Sequence, residues 1–368
     1  MIAGKLFSPY TLGALTLPNR IAMAPMTRCR ATNPAIAPTP MMVEYYGLRA
    51  DAGLIISEGI PVSPQARGYA FTPGLYSAEQ IAGWQAVTNE VHKQGGRIFA
   101  QLWHCGRISH GSLRDDNAPP VGPSAIAANG KSMALDRATG QASLTQCEAP
   151  RALSTAEVKG VVGEFVQAAQ NAIVAGYDGV EIHGANGYLL DQFRCPFLND
   201  RQDAYGGSLE NRCRLHLEIA REVAAAIGKE RTGIRLSPHG QANDMRPDPD
   251  PMATYGYLAA ELQKLGLVYL HLYDQSTSWI HDPDDALLRL IRTKFTNALM
   301  LCGGFTGKKA EAALAAGSGD LIAIGKPFIS NPDLVSRLRQ GVEIASWDSK
   351  TFYLGGHSGY LDYPTFSA

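Results

Sequence analysis

The chain has 368 residues, 45% of them hydrophobic and 18% charged, with a formal net charge of −1. That length suits one large α/β barrel, and that apolar share excludes wholesale disorder. The near-neutral charge gives no global field for nucleic acid or an anionic membrane, and no run approaches the ~18 apolar residues of a membrane span.

The start, "MIAGKLFSPY", lacks the apolar core of a signal peptide, so the expected location is the cytoplasm. A first apolar strand, "RIAMAP" from Arg20, precedes the helical pattern "TPMMVEYYGLRADAG", which ends on a Gly. "GLIISEG" from Gly53 precedes "SAEQIAGWQAVTNEVHKQGG", with a Ser cap at one end and a Gly pair at the other. "RIFAQLW" from Arg97 is followed by no helix of normal length: from Trp103 to Arg151 the chain is rich in Gly, Pro, Ser and Ala. A loop of that length is usually functional, often a lid. "STAEVKGVVGEFVQAAQNAIVAG" then opens on a Ser–x–x–Glu capping box.

The fourth strand, "DGVEIHG" from Asp178, leads to "SLENRCRLHLEIAREVAAAIG", read as opening on a second box. "TGIRLSP" from Thr232 precedes "DPMATYGYLAAELQKLG". "LVYLHLY" from Leu267 is the sixth strand, and "ALMLCGG" from Ala298 the seventh, before "TGKKAEAALAAG". "DLIAIGK" from Asp320 is the eighth, before "NPDLVSRLRQG", where Asn331 is expected at the helix cap with Pro behind it. Most of these strands are near-continuously apolar, as strands covered on both faces should be. Strand then helix, eight times, is the pattern of a (β/α)8 TIM barrel. A doubly wound sheet reads similarly, but eight parallel strands in one domain, taken here as 1–368, fit the barrel better. The loop after the third strand then lies on the C-terminal face.

Chemistry in such a barrel sits at the C-terminal strand ends. These read "APMT", "SEG", "QLWH", "HGANGY", "RLSP", "CGGFT" and "GKPF" for strands one to five, seven and eight. A lone strand-end His is more often structural than catalytic, but eight ends converging on one mouth change that reading. His183, Asn186 and Tyr188 place an imidazole, an amide and a phenol within six residues of one rim. Gly303 and Gly304 precede one helix N-terminus at Thr306, and Gly325 and Lys326 precede another. Glycines admit backbone N–H groups to an anion, and the loops after strands seven and eight commonly hold a phosphate. Two ordinary Gly turns are the alternative; on adjacent loops, beside a Lys, a phosphate site reads better. The six cysteines form no C-x-x-C pair, so unpaired thiols in a reducing compartment are expected and a zinc or iron–sulfur site is not.

The segments "NRIAMAPMTRCRA", "FAQLWHCGRISH", "HGANGYLLDQFRCPFLNDRQDAYGGSLENR", "GIRLSP", "IGKPFISNPDL" and "TFYLGGHSGYLDYPT" resemble the old yellow enzymes, in order and over nearly the whole chain. Those are ene-reductases that bind flavin mononucleotide (FMN) non-covalently on a (β/α)8 barrel. Met26–Thr27 resembles the branch that carries Thr where related branches carry Cys. The resemblance implies that Gln101 bonds the pyrimidine edge of the flavin, that Arg235 lies near its N1 and O2, and that Thr27 bonds O4. Pro25, Met26 and Gly59 would bring backbone close to the ring, and Gly303, Gly304, Gly325 and Lys326 would hold the phosphate. His183 and Asn186 would bond the electron-withdrawing oxygen of a substrate, and Tyr188 would protonate its α-carbon. Trp103, Tyr353 and Tyr69 would wall the pocket, while Asp203, Tyr205 and Arg212 would brace the loop after strand four.

The implied reductant is NADPH or NADH, the implied substrates are enones, maleimides, nitroalkenes or nitrate esters, and the implied assembly is a monomer or homodimer. The chain departs from the family in two places. Lys326 stands where relatives usually carry Arg, and the loop "YDQSTSWIHDP" after strand six matches poorly. Dienoyl-CoA reductases and amine dehydrogenases share the barrel but carry a cysteine cluster and a long C-terminal extension. A flavin-free lyase or aldolase would need a Schiff-base Lys or metal ligands at a strand end, and a flavin-binding barrel without turnover is the third alternative.

Overall fold

Eight parallel strands close on themselves in the computed structural model, which describes residues 4–366. They are β1 (Ile21–Met23), β2 (Leu54–Pro61), β3 (Ile98–Trp103), β4 (Gly179–His183), β5 (Thr232–Leu236), β6 (Tyr269–Tyr273), β7 (Ala298–Cys302) and β8 (Leu321–Ile324). Each pairs with the next, and β8 returns to β1 through Ile322↔Ile21 and Ile324↔Met23. Seven of the eight lie within the predicted runs, β2 continues two residues past the predicted end at Gly59, and the (β/α)8 barrel stands. The first three residues of "MIAGKLFSPY" and the last two of the chain lie outside the described residues.

Alternation along these strands builds two buried layers, because successive side chains point to opposite faces. Ala22, Leu54, Ile56, Phe99, Tyr269, Met300, Leu321 and Ala323 pack together inside the barrel. Leu12 and Leu17 join them from an N-terminal hairpin, Tyr10–Leu12 with Leu15–Leu17, which closes the bottom. The intervening residues, among them Ile55, Ala100, Ile182, Ile234, Leu270, Leu301 and Ile322, face outward onto the helices.

The helices that cover them are α1 (Pro40–Gly47), α2 (Ala78–Lys93), α3 (Thr155–Val174), α4 (Leu209–Ile227), α5 (Pro251–Leu265), α6 (Ala286–Lys294), α7 (Gly307–Ala315) and α8 (Leu334–Gln340). Ser77 and Ser154 both close reciprocal capping boxes, with Gln80 and Glu157. Ser208 caps α4 by accepting from the Asn211 N–H, but Asn211 rather than Glu stands at the third position, so no box forms. The predicted Asn331 cap is also corrected. Asn331 spends its amide on the carbonyls of Pro327 and Ala345, and Asp333 occupies the cap of α8. α6 is the helix that the sequence pattern did not locate; Asp285 caps it by accepting from the N–H groups of Leu287 and Leu288.

Replacing Ser154 with Ala removes one arm of the α3 box. A urea titration should show a loss of ~1 kcal/mol, the usual cost of an N-cap deletion, with an unchanged slope.

The long loop after β3 carries a two-stranded hairpin, Lys131–Asp136 with Gln141–Gln146. It is tied to the segment after β2, where the Ala70 N–H donates to the Met133 carbonyl at 2.8 Å. Met133 packs with Cys29, Ala70 and Leu113, against Tyr69. The stretch without a helix is therefore an ordered cover over one side of the mouth.

Candidate active site

The mouth is built from residues one step beyond each strand's apolar run. His183 ends β4 and is 4% exposed. Its Nδ1 accepts the Ala185 N–H at 3.3 Å, which puts the proton of the neutral ring on Nε2. Burial and then the neighbouring Arg235 charge lower its pKa to about 3, so the ring is neutral at working pH. His183 thus presents an N–H donor rather than a cation.

Asn186 sits in the left-handed region at φ 59°, which Asn tolerates better than most residues. Two bonds hold it there: its N–H donates to Ser237 Oγ at 2.8 Å, and its carbonyl accepts from Asn243 Nδ2 at 2.8 Å. Its own carboxamide has no hydrogen-bond partner among the described residues. The Tyr188 hydroxyl lies 3.1 Å from that of Tyr69. Burial, and next the Cys105 thiol, push the Tyr188 phenol well above 10.

Aromatic rings draw these residues into one cluster. Trp103 is edge-on to Tyr188 at 4.8 Å, His183 is edge-on to Tyr188 at 5.1 Å, and Tyr69 stacks on Trp103 at 5.6 Å. Gly59 makes room for this, since a Cβ there would lie 2.6 Å from the Trp103 ring. The missing Cβ admits the indole, and the Gly59 backbone is the part expected to approach a flavin. Tyr353 does not join the cluster. It is 52% exposed, and its ring meets Phe352 at 6.4 Å. The strap that carries it is pinned by Arg28 and Arg30, whose guanidiniums donate to the carbonyls of Thr351, Phe352, Ser358 and Gly359.

Arg235 lies one residue before the end of β5 with 5% exposure. It has no carboxylate within ion-pair distance among the described residues; Nη2 meets Cys302 Sγ at 3.6 Å, and Nε is buried without a partner. A buried cation in this state is costly and fits an anionic or strongly accepting ligand atom. Gln101 directs Nε2 to Glu181 at 2.8 Å, leaving its carbonyl oxygen as a free acceptor. Pro25, Met26 and Thr27 are half-buried just beyond β1, with Met26 Sδ beside Gly325.

The loops after β7 and β8 are bare backbone at the rim. Gly303 and Gly304 have φ of 150° and 61°, and a Cβ on Gly303 would lie 2.7 Å from the Asp274 carbonyl. Thr306 caps α7 through Lys309 only, leaving the N–H groups of Gly307 and Lys308 without a side-chain cap among the described residues. Lys326 is exposed and makes no ion pair among the described residues. These glycines, amides and ammonium suit a phosphate, and Arg235, with its Nε free and no carboxylate beside it among the described residues, suits the pyrimidine edge of a flavin, so the residues present fit FMN.

The brace after strand four is also in place. Asp203 accepts from Arg201 and Thr155, the Tyr205 hydroxyl donates to Glu218 at 2.7 Å, and Arg212 Nε donates to the Arg194 carbonyl at 3.1 Å. Sequence reasoning passed over Glu181, His271 and Asn243. For the first two a signal existed: polar residues at period two inside apolar strands, "VEIH" and "YLHLY". Asn243 comes from a loop whose docking no pattern announces.

Fold and mouth together define a flavin-binding TIM barrel whose substrate face offers neutral hydrogen-bond donors. A family model described as NADH:flavin oxidoreductase / NADH oxidase matches residues 5–344. The rice 12-oxophytodienoate reductase 7 is 41% identical, over 98% of this chain and 94% of its own length. A probable flavin mononucleotide-dependent alkene reductase of Leishmania infantum is 38% identical over 98% and 97%. The structure of morphinone reductase in complex with tetrahydroNAD superposes with a TM-score of 0.94 at 44% identity, over 98% of each chain. The chain belongs to the old yellow enzyme family, the FMN-dependent, NAD(P)H-oxidising ene-reductases.

Proposed function

We propose that this enzyme reduces the C=C bond of activated alkenes, with enones as the leading substrates and maleimides and nitroalkenes beside them. The observation that carries this reading is the convergence of three groups in one mouth. They are the imidazole of His183 and the hydroxyl of Tyr188, whose rings meet edge-on at 5.1 Å, and the carboxamide of Asn186, which lies between them in sequence and has no hydrogen-bond partner among the described residues. Bound FMN would supply the hydride chemistry that links NAD(P)H to the alkene. His183 and Asn186 hold the substrate oxygen on which negative charge develops, so they act most strongly in the transition state. Tyr188 gives its proton to the α-carbon, and Tyr69 orients that hydroxyl. Trp103 and Tyr69 wall the pocket, with Tyr353 at its outer rim. Arg235, Gln101, Thr27, Pro25, Met26 and Gly59 receive the flavin ring, and Gly303, Gly304, Gly325 and Lys326 its phosphate.

The names of the rice, Leishmania and morphinone-reducing relatives support this substrate class, and the tetrahydroNAD complex supports a nicotinamide reductant. We take NADPH as the reductant to test first, with NADH beside it. Six buried free cysteines support the cytoplasm as its location, and no described helix is long and apolar enough to cross a membrane.

The purified protein should be yellow, lose its flavin absorbance under anaerobic NADPH and regain it on addition of cyclohexenone. A colourless protein that takes up no FMN would remove the reading. Lys326→Ala should weaken FMN retention in dialysis, and Lys326→Arg should keep or improve it, because the guanidinium fork can bond two phosphate oxygens. Equal retention by the Ala variant would mean that the backbone amides suffice.

A further inference from the structure

Inside the barrel, one layer below the mouth, lies a carboxylate that the reaction scheme above does not use. Glu181 is fully buried on β4. It accepts from Gln101 Nε2 at 2.8 Å through one oxygen and from His271 Nδ1 at 2.8 Å through the other. His271 is fully buried as well, and its Nε2 has no partner among the described residues. The registers Glu181↔Gly233 and His183↔Arg235 place Glu181 one inward step below Arg235 on the adjacent strand. The Tyr269 ring fills the space left by Gly233, where a Cβ would lie 2.4 Å from it.

Burying a carboxylate is costly, and two neutral donors do not make it stabilising by themselves. An amide would fill the same place at lower desolvation cost. What the carboxylate supplies that an amide cannot is charge. Arg235 and Glu181 are the two residues of opposite formal charge that the barrel strands turn inward beneath the mouth, and Arg235 has no carboxylate at ion-pair distance among the described residues. Burial opposes ionisation of Glu181, but His271, Arg235 and Gln101 together hold its pKa below the ordinary value, and burial in turn lowers the pKa of His271. The interior beneath the mouth is therefore close to electrically balanced.

We propose that Glu181, held by His271 and Gln101, is a positioning residue whose charge offsets Arg235 and so sets the reduction potential of bound FMN. This rests on the reading that FMN occupies the mouth above Arg235. With Glu181 neutral, Arg235 acts uncompensated on the ring, and the more electron-rich reduced form gains affinity over the oxidised form. Gln is nearly isosteric at this position. Its carbonyl accepts from Gln101, and its amide donates to His271, whose neutral ring changes tautomer to receive it.

The test is the midpoint potential of Glu181→Gln holoenzyme by anaerobic dye equilibration against the parent. Preference for reduced over oxidised FMN should rise at least tenfold, which for a two-electron couple is about 30 mV. Glu181→Asp keeps the charge and should stay within threefold of the parent. A Glu181→Gln value within threefold of the parent would overturn the proposal while leaving the flavin reading intact. A parent that binds no FMN would overturn both. Should Glu181→Gln be insoluble, the charge-balanced pair Glu181→Gln with Arg235→Gln should restore a folded protein. If that pair is insoluble too, Glu181 serves packing and the proposal falls.

Discussion

Tyr188→Phe should leave NADPH oxidation at the parent rate and slow the reduction of cyclohexenone by roughly the 10²–10⁴-fold typical of a lost general acid. The phenol is well placed for that role. Its hydroxyl has the Tyr69 hydroxyl at 3.1 Å, and its ring is edge-on to both Trp103 and His183. Burial raises its pKa, so the proton stays on the oxygen throughout the neutral range. A weak acid suits this step, because the acceptor is a strongly basic carbanion-like carbon. Oxidation of NADPH needs no proton from the protein at that position, so the two half-reactions should separate. Nitroalkenes should be less affected than enones, because a nitronate can leave the site and take its proton from water. Stopped-flow absorbance of each half-reaction decides the matter. Equal slowing of both would show that Tyr188 packs the mouth rather than donating a proton, and its role as acid would be withdrawn.

The second large effect is expected at the substrate oxygen. Phenolic ligands should bind over oxidised flavin and give a long-wavelength charge-transfer band, because a phenolate oxygen mimics the oxygen of a developing enolate. His183→Ala and Asn186→Ala together should abolish that band and leave FMN content unchanged. Each single change should reduce turnover by about 10²–10³-fold, as loss of one oxyanion donor commonly does. The pH dependence follows from the ring's neutrality. His183 has a pKa near 3 in the fold against an ordinary 6.5, so it does not titrate between pH 5 and 8. Phenol affinity across that range should follow the ligand's own ionisation. In the unfolded chain the imidazole binds its proton below pH 6.5, so its contribution to stability is present above that value and is lost as pH falls toward 3. A phenol affinity that tracks a group titrating near 6.5 would mean that the imidazole is not buried as described.

The barrel was legible because its strands are covered on both faces. Double coverage leaves a near-continuous apolar run, and Gly or Ser punctuation marks where each run meets a helix. α6 escaped for a local reason: the irregular stretch from Asp274 to Asp285 precedes it, and its only start signal is Asp285 itself. Asn331 was misread because a good cap residue can spend its side chain elsewhere, here on carbonyls that its neighbours along the chain do not reveal. Likewise His183, Asn186, Tyr188, Arg235 and the glycine loops were visible as polar groups and glycines at strand ends, where the topology of the fold sends chemistry.

What the sequence by itself determined, then, is which side chains reach the rim, since alternation and strand ends are local properties. Only the tertiary structure decided how they meet. Tyr69 and Tyr188 come from segments 119 residues apart and share a hydrogen bond only because a loop folds over β3 and β4. The tautomer of His183 depends on one backbone N–H, and its neutrality on burial beside Arg235. Glu181 lies beneath Arg235 because parallel strands pair in one register, and no reading along a single strand contains the position of the next.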